Sequence, residues 1–180
     1  MRIIGGTHRS RIIIYPTNED KVRPTKDRVR EAVFSILQYQ IVDKDVLDIF
    51  AGSGAYGLES MSRGAKSVTF IDSYPDSIRC IKENIKNLNI TNCTVIENDF
   101  LPALEKLGRE NKQYDIIFMD PPYKAHYYYE IVDLLIKREM LKENAILILE
   151  SDHVLDINKF NNFKIKQYEY GKNYITILRK

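Results

Sequence analysis

The sequence predicts a doubly wound α/β fold: a seven-stranded, mostly parallel sheet with an antiparallel terminal strand. Three observations predict it. Apolar runs alternate with helical patterns along the chain, a glycine-rich loop follows the first run of that series, and the last two runs are joined by a turn too short for a crossover. Strands are expected near Val46–Phe50, Ser67–Ile71, Thr94–Glu97, Tyr114–Met119, Ala145–Glu150, Phe163–Tyr168 and Tyr174–Leu178. Helices fit Thr25–Tyr39, Ala55–Ser62, Pro75–Asn87, Pro102–Arg109 and Tyr127–Arg138. Thr25 or Asp27 can cap the first helix, and Val29, Val33, Phe34, Ile36 and Leu37 supply its apolar stripe. Gly171, Lys172 and Asn173 lie near the turn between the last two strands, which therefore pair as a hairpin.

Ahead of this body, which spans residues 23–180, residues 1–22 read as a separate basic arm. Within it, Arg2–Ile4 and Arg11–Tyr15 flank Gly5-Gly6 as a small β-hairpin with Arg9 and Arg11 near its tip. Residues 1–30 hold eight basic side chains (Arg2, Arg9, Arg11, Lys21, Arg23, Lys26, Arg28, Arg30) and three acidic ones (Glu19, Asp20, Asp27), a surplus of five on a chain whose total is +2. A basic segment on a mildly acidic body suggests a polyanion gripped at one end; a solvated, salt-bridged surface is the other account. Arg9, Arg11, Arg23, Arg28 and Arg30 are the candidate phosphate contacts, since Arg is suited to planar, bidentate binding.

Composition excludes several classes. With 44% hydrophobic and 29% charged residues, the 180-residue chain is neither disordered nor fibrous. Cys80 and Cys93 provide neither a disulfide scaffold nor a zinc cluster, and His8 and His153 lack metal-like partners, so no metal is expected. The longest apolar stretches, such as Ala145–Leu149, fall far short of the ~20 residues of a membrane helix. Residues 1–15 show no signal-peptide pattern, so no membrane partner and a cytoplasmic location are expected.

Asp48 to Gly57 reads Asp-Ile-Phe-Ala-Gly-Ser-Gly-Ala-Tyr-Gly, where the first parallel strand turns into its helix. Gly52, Gly54 and Gly57 allow a tight turn, close approach to a ligand and helix-on-strand packing. Asp72 lies 20 residues after Gly52 and ends the next strand, where a carboxylate can accept hydrogen bonds from a ribose diol. Nicotinamide cofactors and S-adenosylmethionine both satisfy that pair. Asp48 separates them: facing the ligand, its charge repels a pyrophosphate and attracts the ammonium and sulfonium of S-adenosylmethionine. The alternative is that Asp48 only caps the turn through local backbone bonds.

Asp120-Pro121-Pro122-Tyr123 follows the strand Tyr114–Met119, at the carboxyl end where open α/β sheets bind ligands. The prolines stiffen the backbone and remove two N–H donors, leaving acceptors. The Asp120 carboxylate and the Pro121 carbonyl can both take hydrogen bonds from one exocyclic amino group, localising its lone pair toward a sulfonium methyl. Tyr123 offers a flat face for an unpaired base. A strand end followed by a plain proline turn is the bland alternative. His126 and Tyr127 to Tyr129 can line the base site or pack the next helix. Asp99 can bond an adenine, with Phe100 on the ring, or simply cap a helix.

These stretches carry a resemblance over essentially the whole length. The arm Arg2-Ile-Ile-Gly-Gly6, the segment Arg23-Pro-Thr-Lys-Asp-Arg28-Val-Arg-Glu-Ala-Val-Phe34, the stretch Leu47-Asp-Ile-Phe-Ala-Gly-Ser-Gly-Ala-Tyr-Gly-Leu-Glu-Ser-Met-Ser-Arg-Gly64-Ala and the tetrad resemble the small-subunit (16S) ribosomal RNA guanine-N2 methyltransferase family, RsmD. The resemblance implies a Rossmann-like S-adenosylmethionine-dependent methyltransferase fold and methyl transfer to the N2 amino group of one guanine, on small-subunit rRNA or an assembling subunit; a monomer is expected. It carries cofactor roles onto Asp48, Gly52, Gly54 and Asp72, with Phe50, Ser73, Asp99 and Phe100 beside them, and the catalytic role onto Asp120, Pro121, Pro122 and Tyr123. Two positions depart: relatives more often have Glu at Asp72 and a smaller aliphatic residue at Tyr56. An adenine-N6 or protein-glutamine methyltransferase would use the same tetrad. An RNA-binding module retaining S-adenosylmethionine without catalysis is a further alternative, and a nicotinamide dehydrogenase is disfavoured by Asp48.

Overall fold

The computed structural model describes residues 1–16, 27–122 and 126–180. Among them, β1 Asp45–Ile49, β2 Ser67–Asp72, β3 Cys93–Glu97, β4 Tyr114–Met119, β5 Leu141–Ser151, β6 Lys164–Tyr170 and β7 Asn173–Arg179 form one sheet in the order β3-β2-β1-β4-β5-β7-β6. β1 to β5 are parallel, and β7 runs antiparallel between β5 and β6. The helices are α1 Asp27–Leu37, α2 Ala55–Ser62, α3 Pro75–Asn87, α4 Phe100–Arg109 and α5 His126–Lys137. Strand order reverses between β1 and β4, and the crevice beyond their carboxyl ends is where such sheets take ligands.

Both faces of the sheet are covered, which is why its central strands are continuous apolar runs. Val46, Phe70, Phe118 and Ile148 point to one face, against Phe34, Leu58 and Ile81. Leu47, Ile49, Ile117 and Leu149 point to the other, against Leu104, Leu107, Ile131 and Leu135. Each such side chain contributes roughly 1.5–3 kcal/mol by leaving water. Gly57 sits where α2 crosses β2: a Cβ there would lie 2.2 Å from Cε1 of Phe70, so only glycine permits this approach. β5 starts at Leu141, four residues before the apolar run, because Leu141 pairs with Tyr114 ahead of a register irregularity.

The expected N-terminal hairpin is formed only in part: one antiparallel bridge joins residues 2 and 12, with the Ile3 N–H donating to the Arg11 carbonyl at 3.0 Å, that of Ser10 to the Ile3 carbonyl at 2.8 Å and that of Ile13 to the Met1 carbonyl at 3.1 Å, and no strand extends from it. The reason is competition. The N–H groups of Ile4 and Gly5 donate to the Glu59 carboxylate at 2.7 and 2.8 Å, and that of His8 donates to Ser62 Oγ at 2.9 Å. Gly6 has φ +75, and a Cβ there would fall 1.8 Å from the Ser62 carbonyl oxygen. Ile3 and Ile13 are buried in the main core, so residues 1–16 lie along α2 and α3.

Arg30 is also corrected. Its side chain is fully buried, donating to the Arg2 carbonyl and, at 3.0 Å, to Asp27 Oδ1, with Nε 3.8 Å from Glu59 Oε2. A guanidinium so buried is turned into the protein and not presented on the surface where the sequence placed it. Arg23 and the Thr25 cap lie outside the described residues.

Candidate active site

Three loops converge on the carboxyl edge of the sheet. After β1, Phe50 turns the chain with φ +62, a conformation costly for a bulky side chain and of the kind that concentrates at functional sites. Gly52 and Gly54 follow, and α2 begins at Ala55. Asp48 is buried, and its Oδ2 accepts the Gly57 N–H at 2.9 Å, so the local capping bond is present. Burial pushes the Asp48 carboxyl up to about 8, against the Gly57 hydrogen bond and with the help of the Asp72 charge.

Asp72 is the second acid. Its two oxygens accept the N–H groups of Gly52 and Tyr74, both at 2.8 Å, tying the end of β2 to the glycine loop. Burial raises its pKa as well, while the backbone hydrogen bonds oppose the rise. Ser73 is exposed beside it.

The end of β3 supplies Asp99 and Phe100. Asp99 is exposed and stands at the N-cap of α4 without making the capping bond through its side chain. Phe100 packs against Phe50 with centroids 5.2 Å apart and against Tyr127 at 5.1 Å, while Phe50 and Tyr127 stack at 6.3 Å. Sequence reasoning named Phe50 and Phe100 separately and left Tyr127 between two roles; the fold joins all three into one aromatic wall. A buried acid at Asp48, a half-buried one at Asp72, a tight glycine turn between them and an aromatic wall fit a cationic amino acid nucleoside: the acids match the ammonium and the hydroxyls, the rings match adenine.

Asp120 follows β4 and is half-buried, with Pro121 buried and Pro122 exposed. Tyr123 lies outside the described residues. Continuing the register in which Met119 faces Leu149, Asp120 comes level with Glu150. Glu150 is a buried carboxylate that sequence reasoning missed. Its Oε2 accepts Tyr56 Oη at 2.9 Å, its Oε1 accepts Asn173 Nδ2 at 2.6 Å, and its backbone carbonyl accepts Tyr128 Oη at 2.5 Å. The available signal was an acid ending an apolar strand, the same cue that marked Asp72.

Among the described residues, the candidate arginines do not gather here. α2 and α3 follow parallel strands, so their C-terminal ends lie at the amino edge. Arg11 is exposed and donates to the Asn87 carbonyl at 3.2 Å, and His8 Nε2 is 2.9 Å from the Leu88 carbonyl. The tip carrying Arg9 and Arg11 is therefore at the far end of α3, whose 13 residues span about 20 Å. Arg28, exposed in the first turn of α1, is at the end of that helix nearer the ligand edge.

The sheet order, the loop after β1 and the acids flanking it define a methyltransferase of the S-adenosylmethionine-dependent class. The chain belongs to the family described as conserved hypothetical protein 95, whose profile matches residues 1–179. It is 38% identical over 176 residues to the ribosomal RNA small subunit methyltransferase D of Buchnera aphidicola subsp. Baizongia pistaciae, covering 96% of this chain and 87% of that one. Against the ribosomal RNA small subunit methyltransferase D of Escherichia coli strain K12 it is 36% identical over 152 residues, covering 84% and 75%. The solved structure of the putative methyltransferase yhhF from Escherichia coli superimposes with a TM-score of 0.86 at 30% identity, covering 100% of this chain and 97% of that one.

Proposed function

We propose that this protein transfers the methyl group of S-adenosylmethionine to the exocyclic N2 amino group of a guanine in small-subunit (16S) ribosomal RNA. The observation that carries the reading is the position of Asp120-Pro121-Pro122 at the carboxyl end of β4, beside the point where strand order reverses and next to the acid-flanked glycine loop. The names of relatives at 36–38% identity support rRNA of the small subunit as the substrate class.

Bound S-adenosylmethionine supplies an already activated methyl group, so the protein's part is mainly placement. Asp48 and Asp72 hold the cationic and hydroxyl ends, Phe50 and Phe100 the adenine, with Gly52, Gly54, Ser73 and Asp99 completing that wall. The Asp120 carboxylate and the Pro121 carbonyl accept hydrogen bonds from the two amino N–H groups of a guanine turned out of its stack, whose ring rests on Tyr123. Arg28 contacts phosphate near the site, Arg23 is a further phosphate contact, and Arg9 and Arg11 act as a remote grip. The protein works as a monomer on free rRNA or on an assembling subunit, in the cytoplasm.

The test is transfer of a labelled methyl group to protein-free small-subunit rRNA, to small subunits and to DNA, followed by digestion and nucleoside identification. Label in N2-methylguanosine from RNA is expected. Label in N6-methyladenosine, or in no nucleoside despite measured cofactor binding, overturns the reading.

A further inference from the structure

Glu150 is one strand away from Asp120, and it is buried in an environment assembled from several elements of the fold. Three elements supply it: α2 brings the Tyr56 hydroxyl, β7 the Asn173 amide, and α5 the Tyr128 hydroxyl to the carbonyl of the same residue. Tyr56 is itself fixed, stacked on Phe118 with centroids 4.7 Å apart and planes 14° from parallel. Phe118 lies two residues before Asp120 on β4, so one aromatic pair seats both the strand that carries Asp120 and the donor that holds Glu150.

We propose that Glu150, seated by Tyr56 and Asn173, is a positioning residue for Asp120: it keeps a fixed negative charge beside the carboxylate that receives the amino proton during methyl transfer. The proposal rests on the reading of Asp120 given above. In that step the nitrogen lone pair forms the new N–CH3 bond, sulfur keeps the electron pair of the S–CH3 bond that breaks, and the nitrogen sheds one proton to Asp120. A second anion nearby makes Asp120 a stronger proton acceptor, because like charges favour the neutral form of each carboxyl. The groups facing this pair are Arg30 from α1, Tyr56 from α2, Tyr128 from α5, Asp152 beyond β5 and Asn173 from β7. Both tyrosines stay neutral donors: burial raises the Tyr56 pKa most, with Glu150 and then Asp120 adding to it, and burial followed by Asp120 and Asp152 raises that of Tyr128.

The experiment measures kcat against pH, the Kd for S-adenosylmethionine and the melting curve, using small-subunit rRNA and the full chain, for Glu150→Gln and Tyr56→Phe. Glu150→Gln removes the charge but keeps an acceptor for Tyr56, so Asp120 becomes a weaker base. Plateau kcat should fall roughly three- to tenfold and the acid limb of the profile should move to lower pH. Tyr56→Phe keeps the ring on Phe118 but takes a donor from Glu150, which then protonates more easily, so the acid limb should move to higher pH. Kd should stay within about twofold in both, since the Tyr56 hydroxyl is turned to Glu150 and its ring, kept in the Phe variant, stays on Phe118. Limbs that stay in place, or that move the same way in both variants, overturn the proposal. If Glu150→Gln loses its cooperative melt, Tyr56→Phe decides alone: its limb moves up or the proposal falls. A wild-type protein that methylates no guanine refutes the proposed function instead, a result these two variants cannot produce.

Discussion

Asp45 and Asp48 stand three residues apart on β1, at opposite edges of the sheet. Asp45 accepts hydrogen bonds from Ser67 Oγ at 2.7 Å and from Lys142 Nζ at 2.5 Å, and Lys142 also reaches Asp115 at 2.8 Å. Burial pushes Asp45 and Asp115 up, but Lys142 and the neighbouring donors outweigh it and hold both below the ordinary carboxylate range. Asp48 has one backbone N–H, and the charge that acts on it is that of another carboxylate, Asp72. The lesson is that a buried acid with its own lysine belongs to the scaffold, whereas one left beside a second acid leaves charge for a ligand to balance. The hollow at the amino edge lined by Gln113, Asp115, Lys142 and Lys180 is thus neutralised from within.

The largest effect that would break this contrast is at the transfer site itself. Asp120→Ala should lower methyl transfer by at least about a hundredfold while the Kd for S-adenosylmethionine, measured by calorimetry, stays near wild type. Loss of binding together with turnover would return Asp120 to the scaffold. Asp48→Asn comes next, with affinity for S-adenosylmethionine falling roughly ten- to hundredfold at pH 8.5 as a buried charge pair is lost.

The same variant sharpens the comparison through pH. Asp48 in the folded protein titrates near 8, above its unfolded value, so a cation that prefers the ionised form binds more tightly as pH rises through 8 and releases a proton. For the ligand-free protein the sign is opposite: the raised pKa costs stability progressively as pH climbs from about 4 to 8. Asp48→Asn should flatten both trends, read by calorimetry in two buffers of different ionisation heat and by melting temperature at pH 5 and 8.5.

Lys142→Met tests the other edge. Asp45 and Asp115 have lowered pKa values, so their pairing contributes stability at neutral pH that disappears on acidification through the carboxylate range. The variant should lose about 1 kcal/mol in urea unfolding at pH 7, less at pH 3, with cofactor affinity unchanged. The smallest effect is Arg28→Ala, which should weaken RNA binding a few-fold and reduce the salt dependence of log K by about one. Equal salt slopes for variant and wild type would remove Arg28 from the RNA surface.

Local regularities are legible in the sequence alone. α2 and α3 have the bounds read from the sequence, since Gly54 and Pro75 mark their starts. The central strands were evident because two covered faces leave no polar alternation to confuse the reading. β5 began earlier than expected because Lys142, Glu143 and Asn144 are polar; what admits them is Lys142 bonding across to Asp45 and Asp115. Arg30 looked like an RNA contact because charge alone says nothing of burial, and its partner Glu59 is 29 residues away.

By itself the sequence determined the order of strands and helices, the glycine loop, the acid at the end of β2 and the proline tetrad, since each depends on residues within one turn or strand of one another. Only the tertiary structure decided that residues 1–16 lie along two helices, that Phe50, Phe100 and Tyr127 form one wall, and that Glu150 stands beside Asp120. Those contacts join residues tens of positions apart, and the register of a sheet is set by the packing of both its faces at once.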